Sequence, residues 1–162
     1  MGYEILVSLF VVILSQSILN WHGLSVGNLR KLPAVTIPHH SCPPAVVLVV
    51  EDEMLLRMRA VDMVEDAGFT SIEAVDADQA VAILESRSDI ALLFTDIQMP
   101  GSMDGLNLAH VVHKRWPPIK IIIVSGQLKL ADLDIPADSR FFGKPLEAKV
   151  MIAHMRSVIC DA

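Results

Sequence analysis

The sequence predicts an α/β fold with a five-stranded parallel sheet, and three observations predict it. From residue 45 onward, short apolar runs alternate with amphipathic stretches of helical length. The first run, over residues 45–50, is continuously apolar, which is the pattern of a strand buried on both faces. Carboxylates, a serine and a lysine follow the ends of these runs, where an open parallel sheet gathers its chemistry.

Taken in order, residues 45–50 (AVVLVV) form the first strand, and residues 54–67 then set Met58, Val61 and Val64 at helical spacing. Gly68 closes that helix, because a helix end favours the left-handed conformation that glycine adopts without strain. Residues 70–75 form the second strand. Asp76 followed by Gln79 has the form of a capping box and opens a helix that runs to residue 86. Residues 90–95 (IALLFT) form the third strand and deliver Asp96 to its carboxyl end. A helix over 104–116 stops at Pro117 and Pro118, which lack the N–H that a helix needs. Residues 119–124 form a fourth strand ending at Ser125. A weaker helix over 127–133 precedes Pro136, residues 139–142 make the fifth strand, and residues 146–158 the last helix.

A chain of 162 residues suits one core, and 52% hydrophobic with 20% charged residues describes a packed protein rather than a disordered one. The mean hydropathy of +0.49 is high because of the first forty-four residues. These read as an apolar leader and a proline-rich linker (LPAVTIPHHSCPP), separate from a globular domain over 45–162. The run over residues 5–19 is 15 residues long, short of the ~20 that a spanning helix needs. It carries no positively charged start and no small-residue cleavage site, so it does not read as an export signal. Two accounts remain open: a real membrane anchor, with Arg30 and Lys31 keeping the domain in the cytoplasm, or a start assigned too far upstream. The chain meets a membrane only under the first.

The domain carries 18 acidic against 11 basic residues. That balance excludes a general nucleic-acid surface, which needs clustered lysine and arginine. Cys42 and Cys160 stand at opposite ends of the chain and suggest no disulfide framework, so a reducing compartment is the simpler expectation. His39, His40 and Cys42 lack a fourth ligand for a metal. His110, His113 and His154 read as surface or boundary residues, and Trp116 as a helix-end anchor.

Strand one is followed by Glu51 and Asp52, strand three by Asp96, strand four by Ser125, and strand five by Lys144. Three converging carboxylates repel one another unless a cation sits among them. Oxygen-only ligands select a hard divalent ion, and magnesium suits a half-built site that a phosphate completes. Together with the hydroxyl of Ser125 and the ammonium of Lys144, these are the parts that phosphoryl transfer requires.

The acidic pair in VVEDE (49–53), the run TDIQMPG (95–101) with DGL after it, VSG (124–126) and KP (144–145) occur in order, each at a strand end. On these motifs the greater part of the chain, from Val46 to Ile159, resembles the receiver domain of two-component response regulators. The resemblance implies a doubly wound, flavodoxin-like sheet in the order 2-1-3-4-5 with helices on both faces. It makes Asp96 the phosphoacceptor and Asp52 a direct magnesium ligand; Glu51 binds the ion through water, and the backbone carbonyl of Gln98 is a further ligand. Ser125 and Lys144 contact the phosphoryl group, Phe141 follows Ser125 as the aromatic half of a switch, and Gln98 and Gln127 tune how long the phosphoryl group survives. The implied partners are a histidine kinase or histidine phosphotransfer protein upstream and a protein of unknown identity downstream, in the cytoplasm. With only a few residues after the last helix, no output domain is expected, and the signal passes by shape change and contact rather than by enzymic turnover.

Two departures stand out. The loop GSMDG (101–105) is one residue longer than the common form, and the short span between Ser125 and Lys144 leaves little room for the helix between strands four and five. Rival readings are a phosphate sink, a receiver-like module that is never phosphorylated, and, more remotely, a phosphoaspartyl phosphatase of the haloacid-dehalogenase type. The last needs an Asp two residues after the nucleophile, where this chain has Gln98.

Overall fold

A computed structural model describes residues 42, 44–126 and 134–160. The leader and the stretch 127–133, including Gln127 and the weak helix expected there, lie outside the described residues.

Five parallel strands form one sheet: β1 (Val46–Val50), β2 (Thr70–Ala74), β3 (Ile90–Asp96), β4 (Lys120–Ser125) and β5 (Arg140–Gly143). Their order across the sheet is 2-1-3-4-5. The described helices are α1 (Met54–Asp66), α2 (Ala77–Ser86), α3 (Gly105–Arg115) and α4 (Ala148–Cys160). Alternation along each strand splits the core in two, because successive side chains point to opposite faces. Leu48 and Val50 pack with Ala80 and Leu84 of α2 and Leu108 and Val112 of α3. Val47 and Val49 pack with Met63 and Val64 of α1 and Met151 and Met155 of α4. The unbroken apolar runs are thus explained: both faces of the central strands are covered.

Local signals hold in detail. The Asp76 carboxylate accepts from Gln79 N at 2.8 Å. The Gln79 side chain reaches back to Val75 N at 2.8 Å, one residue before the expected donor. Gly68 has φ +89° and donates to Glu65 O at 2.8 Å, capping α1. Trp116 is partly buried at the end of α3, with the Arg115 guanidinium 4.4 Å from its ring centroid.

Two expectations need correction. The buried stripe of α1 is Ala60, Met63 and Val64, whereas Met58 is 53% exposed. Residues 58, 61 and 64 do share a helical spacing, but the helix is rolled so that Met58 falls on its outer side, and Met54 and Leu55 are exposed with it. The cysteines are the second case. Cys42 and Cys160 form a disulfide, with Cα atoms 5.0 Å apart across a sequence separation of 118. Sequence distance hid this proximity. The last helix runs back over the face of β1, so its end returns to the level where that strand begins. Cysteine usage therefore no longer argues for a reducing compartment. Among the described residues, no helix is long and apolar enough to cross a membrane.

Candidate functional site

The chain passes from β1 outward to β2 and then crosses back to β3 on the other side of β1, so the carboxyl ends of β1 and β3 flank the point where the winding reverses. A crevice forms at such a point because the connections on either side turn away from each other. Glu51 and Asp52 follow β1 directly, and Asp96 ends β3. One carboxylate oxygen from each lies within 4.8 Å of the others. Glu51 is 3% and Asp96 5% exposed, while Asp52 is open to solvent.

Lys144 closes the site from the end of β5. Its Nζ donates to Glu51 Oε2 at 2.8 Å and to Asp96 Oδ2 at 2.9 Å, and its backbone N donates to Ser125 O at 2.8 Å. The peptide between Lys144 and Pro145 is cis. The charge balance expected from sequence is therefore refined: the three carboxylates do have a compensating base, and it bridges the two buried ones. Asp96 Oδ1 accepts from Ile97 N at 2.8 Å, which fixes the carboxylate plane.

Ser125 is buried at the end of β4, in the strand beside Asp96, which pairs in register with Val124. Gln98 is exposed and lines the same cleft as Glu51, Asp52, Asp96, Gly126 and Lys144. Phe141 packs toward the α2 and α3 side of the sheet. The structure thus brings Glu51, Asp52, Asp96, Gln98 and Lys144 together, sets Ser125 on the adjacent strand end, and places Phe141 on β5.

Burial pushes the Glu51 carboxyl above its ordinary value, and the nearby Asp96 charge adds to that, while the hydrogen bond and charge of Lys144 oppose it. For Lys144, burial favours the neutral amine, yet the hydrogen bonds and charges of Glu51 and Asp96 outweigh it and the pKa rises. Both shifts describe a site that holds positive charge tightly. Three carboxylate oxygens so close together, with no nitrogen or sulfur ligand, form a donor set suited to a hard divalent cation.

Lys144→Ala is expected to destabilise the metal-free protein by about 2 to 3 kcal/mol, because it leaves buried carboxylate charge without its partner. The pH dependence follows from Glu51. A carboxyl whose folded pKa is raised contributes stability below its unfolded value, near 4.5, and loses it as pH rises through the folded pKa. Without Lys144 that folded pKa climbs further, so the variant matches wild type in acid and falls behind at neutral pH. Urea unfolding in the presence of a chelator measures this; an equal deficit at both pH values assigns the loss to packing of the lysine stem instead.

Sequence reasoning missed two contributors. Gly105 lies against the Asp96 backbone: a Cβ built there comes 1.7 Å from Asp96 O. Arg57 donates from Nη1 to the carbonyls of Glu51 at 2.8 Å and Asp52 at 3.3 Å, and from Nε to Glu73 Oε2 at 3.0 Å. Gly105 stood in the quoted motif without a reason attached. Nothing in spacing separates Arg57 from Arg59; only the roll of α1 toward β2 does.

Comparison with known proteins agrees with this geometry. The family model for the response regulator receiver domain matches residues 47–155. Sensor kinase CckA of Brucella abortus (strain 2308) is 34% identical over 119 residues, covering 71% of this chain and 12% of that protein. A response regulator receiver protein from Sinorhizobium medicae WSM419 superposes with a TM-score of 0.62 at 26% identity, covering 75% of this chain and 95% of the other. Response regulator protein TrrA from Thermotoga maritima, solved in complex with Mg(2+)-BeF, superposes with a TM-score of 0.64 at 23% identity, covering 70% and 98%. The chain spans only about an eighth of the length of the sensor kinase it matches. With strands in the order 2-1-3-4-5 and an acidic cluster at the reversal point, the chain belongs to the response regulator receiver domain family of two-component signalling.

Proposed function

We propose that the chain accepts a phosphoryl group on Asp96 from a histidine kinase or histidine phosphotransfer protein in a magnesium-dependent step, and signals by changing shape and binding a partner. The observation that carries this reading is Lys144 Nζ within hydrogen-bond distance of both Glu51 and Asp96, with Asp52 completing the acidic cluster. In the transfer, an Asp96 oxygen attacks phosphorus; a P–O bond forms, the P–N bond to the donor imidazole breaks, and the imidazole leaves carrying the bonding pair. Lys144 gives up its hold on the Asp96 oxygen and turns its ammonium to the incoming phosphoryl oxygens, which offer the stronger charge-assisted hydrogen bond. Ser125, on the neighbouring strand end, offers a hydroxyl to the same oxygens, and Phe141 on β5 is the side chain that can report its movement. Asp52, Asp96 and the Gln98 carbonyl would hold the magnesium ion directly and Glu51 through water, and the ion would supply neutralisation of charge on the phosphoryl group. Gln98 and Gln127 govern access of water to the acyl phosphate.

In this reading the protein has no turnover substrate of its own, and the receiver body over 45–162 works in the cytoplasm, where histidine kinases present their phosphohistidine. Incubation of the full chain with acetyl phosphate, with magnesium and with a chelator, followed by intact-mass measurement, tests the proposal. One phosphoryl group is expected with magnesium and none with the chelator. A chain that gains none under either condition is a receiver-like module working without phosphorylation, and the reading fails.

A further inference from the structure

We propose that Arg57 is a positioning residue for the divalent-cation site: its guanidinium sets the direction of the Asp52 carboxylate by clamping the backbone that carries it. The inference rests on the reading of Glu51, Asp52 and Asp96 as cation ligands. Its basis is an asymmetry within the acidic pair. Glu51 is oriented through its side chain, by Lys144 at 2.8 Å and by Glu53 N at 3.4 Å. The Asp52 carboxylate makes no such contact among the described residues, so its restraint comes from the peptide planes on either side, which set the direction of its Cα–Cβ bond. Arg57 holds both of those planes. Its Nη1 donates to Glu51 O at 2.8 Å and Asp52 O at 3.3 Å, and its Nε donates to Glu73 Oε2 at 3.0 Å on β2. The Arg57 side chain is 13% exposed and its partner Glu73 52%, so the clamp lies along the protein surface with its fork turned inward.

The hydrogen bonds around it leave the loop little freedom. Glu51 N donates to Ala74 O at 3.2 Å, and Arg57 N accepts its place in the helix by donating to Glu53 O at 2.9 Å. The segment 51–53 is thus tied to β2 on one side and to the first turn of α1 on the other, with the guanidinium spanning both. The guanidinium meets the carboxylate through Nε and the two carbonyls through Nη1, a fixed spacing of donor nitrogens that the single nitrogen of a lysine ammonium does not offer.

Charge and position predict opposite results here, which makes the inference testable. As a positive charge beside a cation site, Arg57 opposes cation binding, so its removal tightens binding if charge is all that matters. As a clamp it favours binding, because side chains that orient ligands typically contribute 10-fold or more to metal affinity. Glu73, paired with the guanidinium at 3.0 Å, opposes the charge effect.

Manganese binding to the metal-free full chain, followed by the electron paramagnetic resonance signal of the free ion, provides the readout. Arg57→Ala and Arg57→Lys are each expected to weaken binding about 10-fold, with an unchanged circular dichroism spectrum. Arg57→Lys preserves charge and helix-forming tendency, so it keeps the test valid if Arg57→Ala does not fold. Wild-type or tighter affinity in a folded variant overturns the inference while the cation reading stands. If wild type itself binds no manganese, the inference and the cation reading fall together. A role confined to stability lowers the melting temperature of both variants and leaves affinity as it was, which also overturns it.

Discussion

Asp96→Asn is expected to abolish phosphoryl gain from acetyl phosphate without lowering stability. Loss of reactivity follows from the chemistry: an amide oxygen is not a competent nucleophile toward phosphorus, and no other carboxylate of the cluster is held in the same way by Ile97 N. Preservation of stability follows from the charges. Lys144 keeps its 2.8 Å contact with Glu51, and Glu51 is relieved of the neighbouring negative charge that helps to raise its pKa. The asparagine oxygen can still accept from Ile97 N. The change in unfolding free energy should stay within about 1 kcal/mol. Intact mass and thermal melting on the same sample check both halves. A variant that still gains a phosphoryl group moves the acceptor elsewhere, with exposed Asp52 the first position to examine.

Gly105→Ala is expected to do the reverse, damaging the fold first and the chemistry as a consequence. Gly105 opens α3 and donates to Ile97 O at 3.0 Å. A Cβ there would stand 1.7 Å from Asp96 O, 2.7 Å from Asp96 C and 2.7 Å from Thr95 Oγ1. The first two are backbone atoms and cannot rotate aside, so either the end of β3 or the start of α3 must move. That strain should cost 3 kcal/mol or more, on the order of the largest single-residue effects. Relief by moving β3 displaces the Asp96 carboxylate from Lys144 and slows phosphorylation in whatever fraction folds. Gly143→Ala serves as the control, because nothing lies within 4 Å of a Cβ at that position. Chemical unfolding of the two variants side by side measures the contrast; equal stability would mean that α3 can shift without disturbing β3.

The behaviour of single elements shows what is legible in a sequence of this kind. The central strands came through because they bury both faces, and a run such as IALLFT admits few other interpretations. Caps came through because their hydrogen bonds are local: the Asp76 carboxylate meets Gln79 N as spacing alone requires. The α1 stripe did not. A helical period places residues on one face but leaves the roll of the helix to packing, and Met58 fell outside. The acidic pair, Asp96, Ser125 and Lys144 were recognisable because parallel strands place their carboxyl ends at one edge, so positions far apart in sequence share a location by rule.

The amino-acid order by itself determined the alternation of strands and helices, their approximate bounds, the family, and which charged side chains arrive at the reversal point. All of these depend on periodicity or on contacts between near neighbours. Tertiary structure alone decided that Lys144 bridges Glu51 and Asp96, that Arg57 reaches back to the loop after β1, that Gly105 has no room for a methyl group, and that Cys42 meets Cys160. Each of those contacts joins separate elements at a distance of a few ångströms. Such distances are set by how the two cores fill on either side of the sheet, which no local pattern encodes.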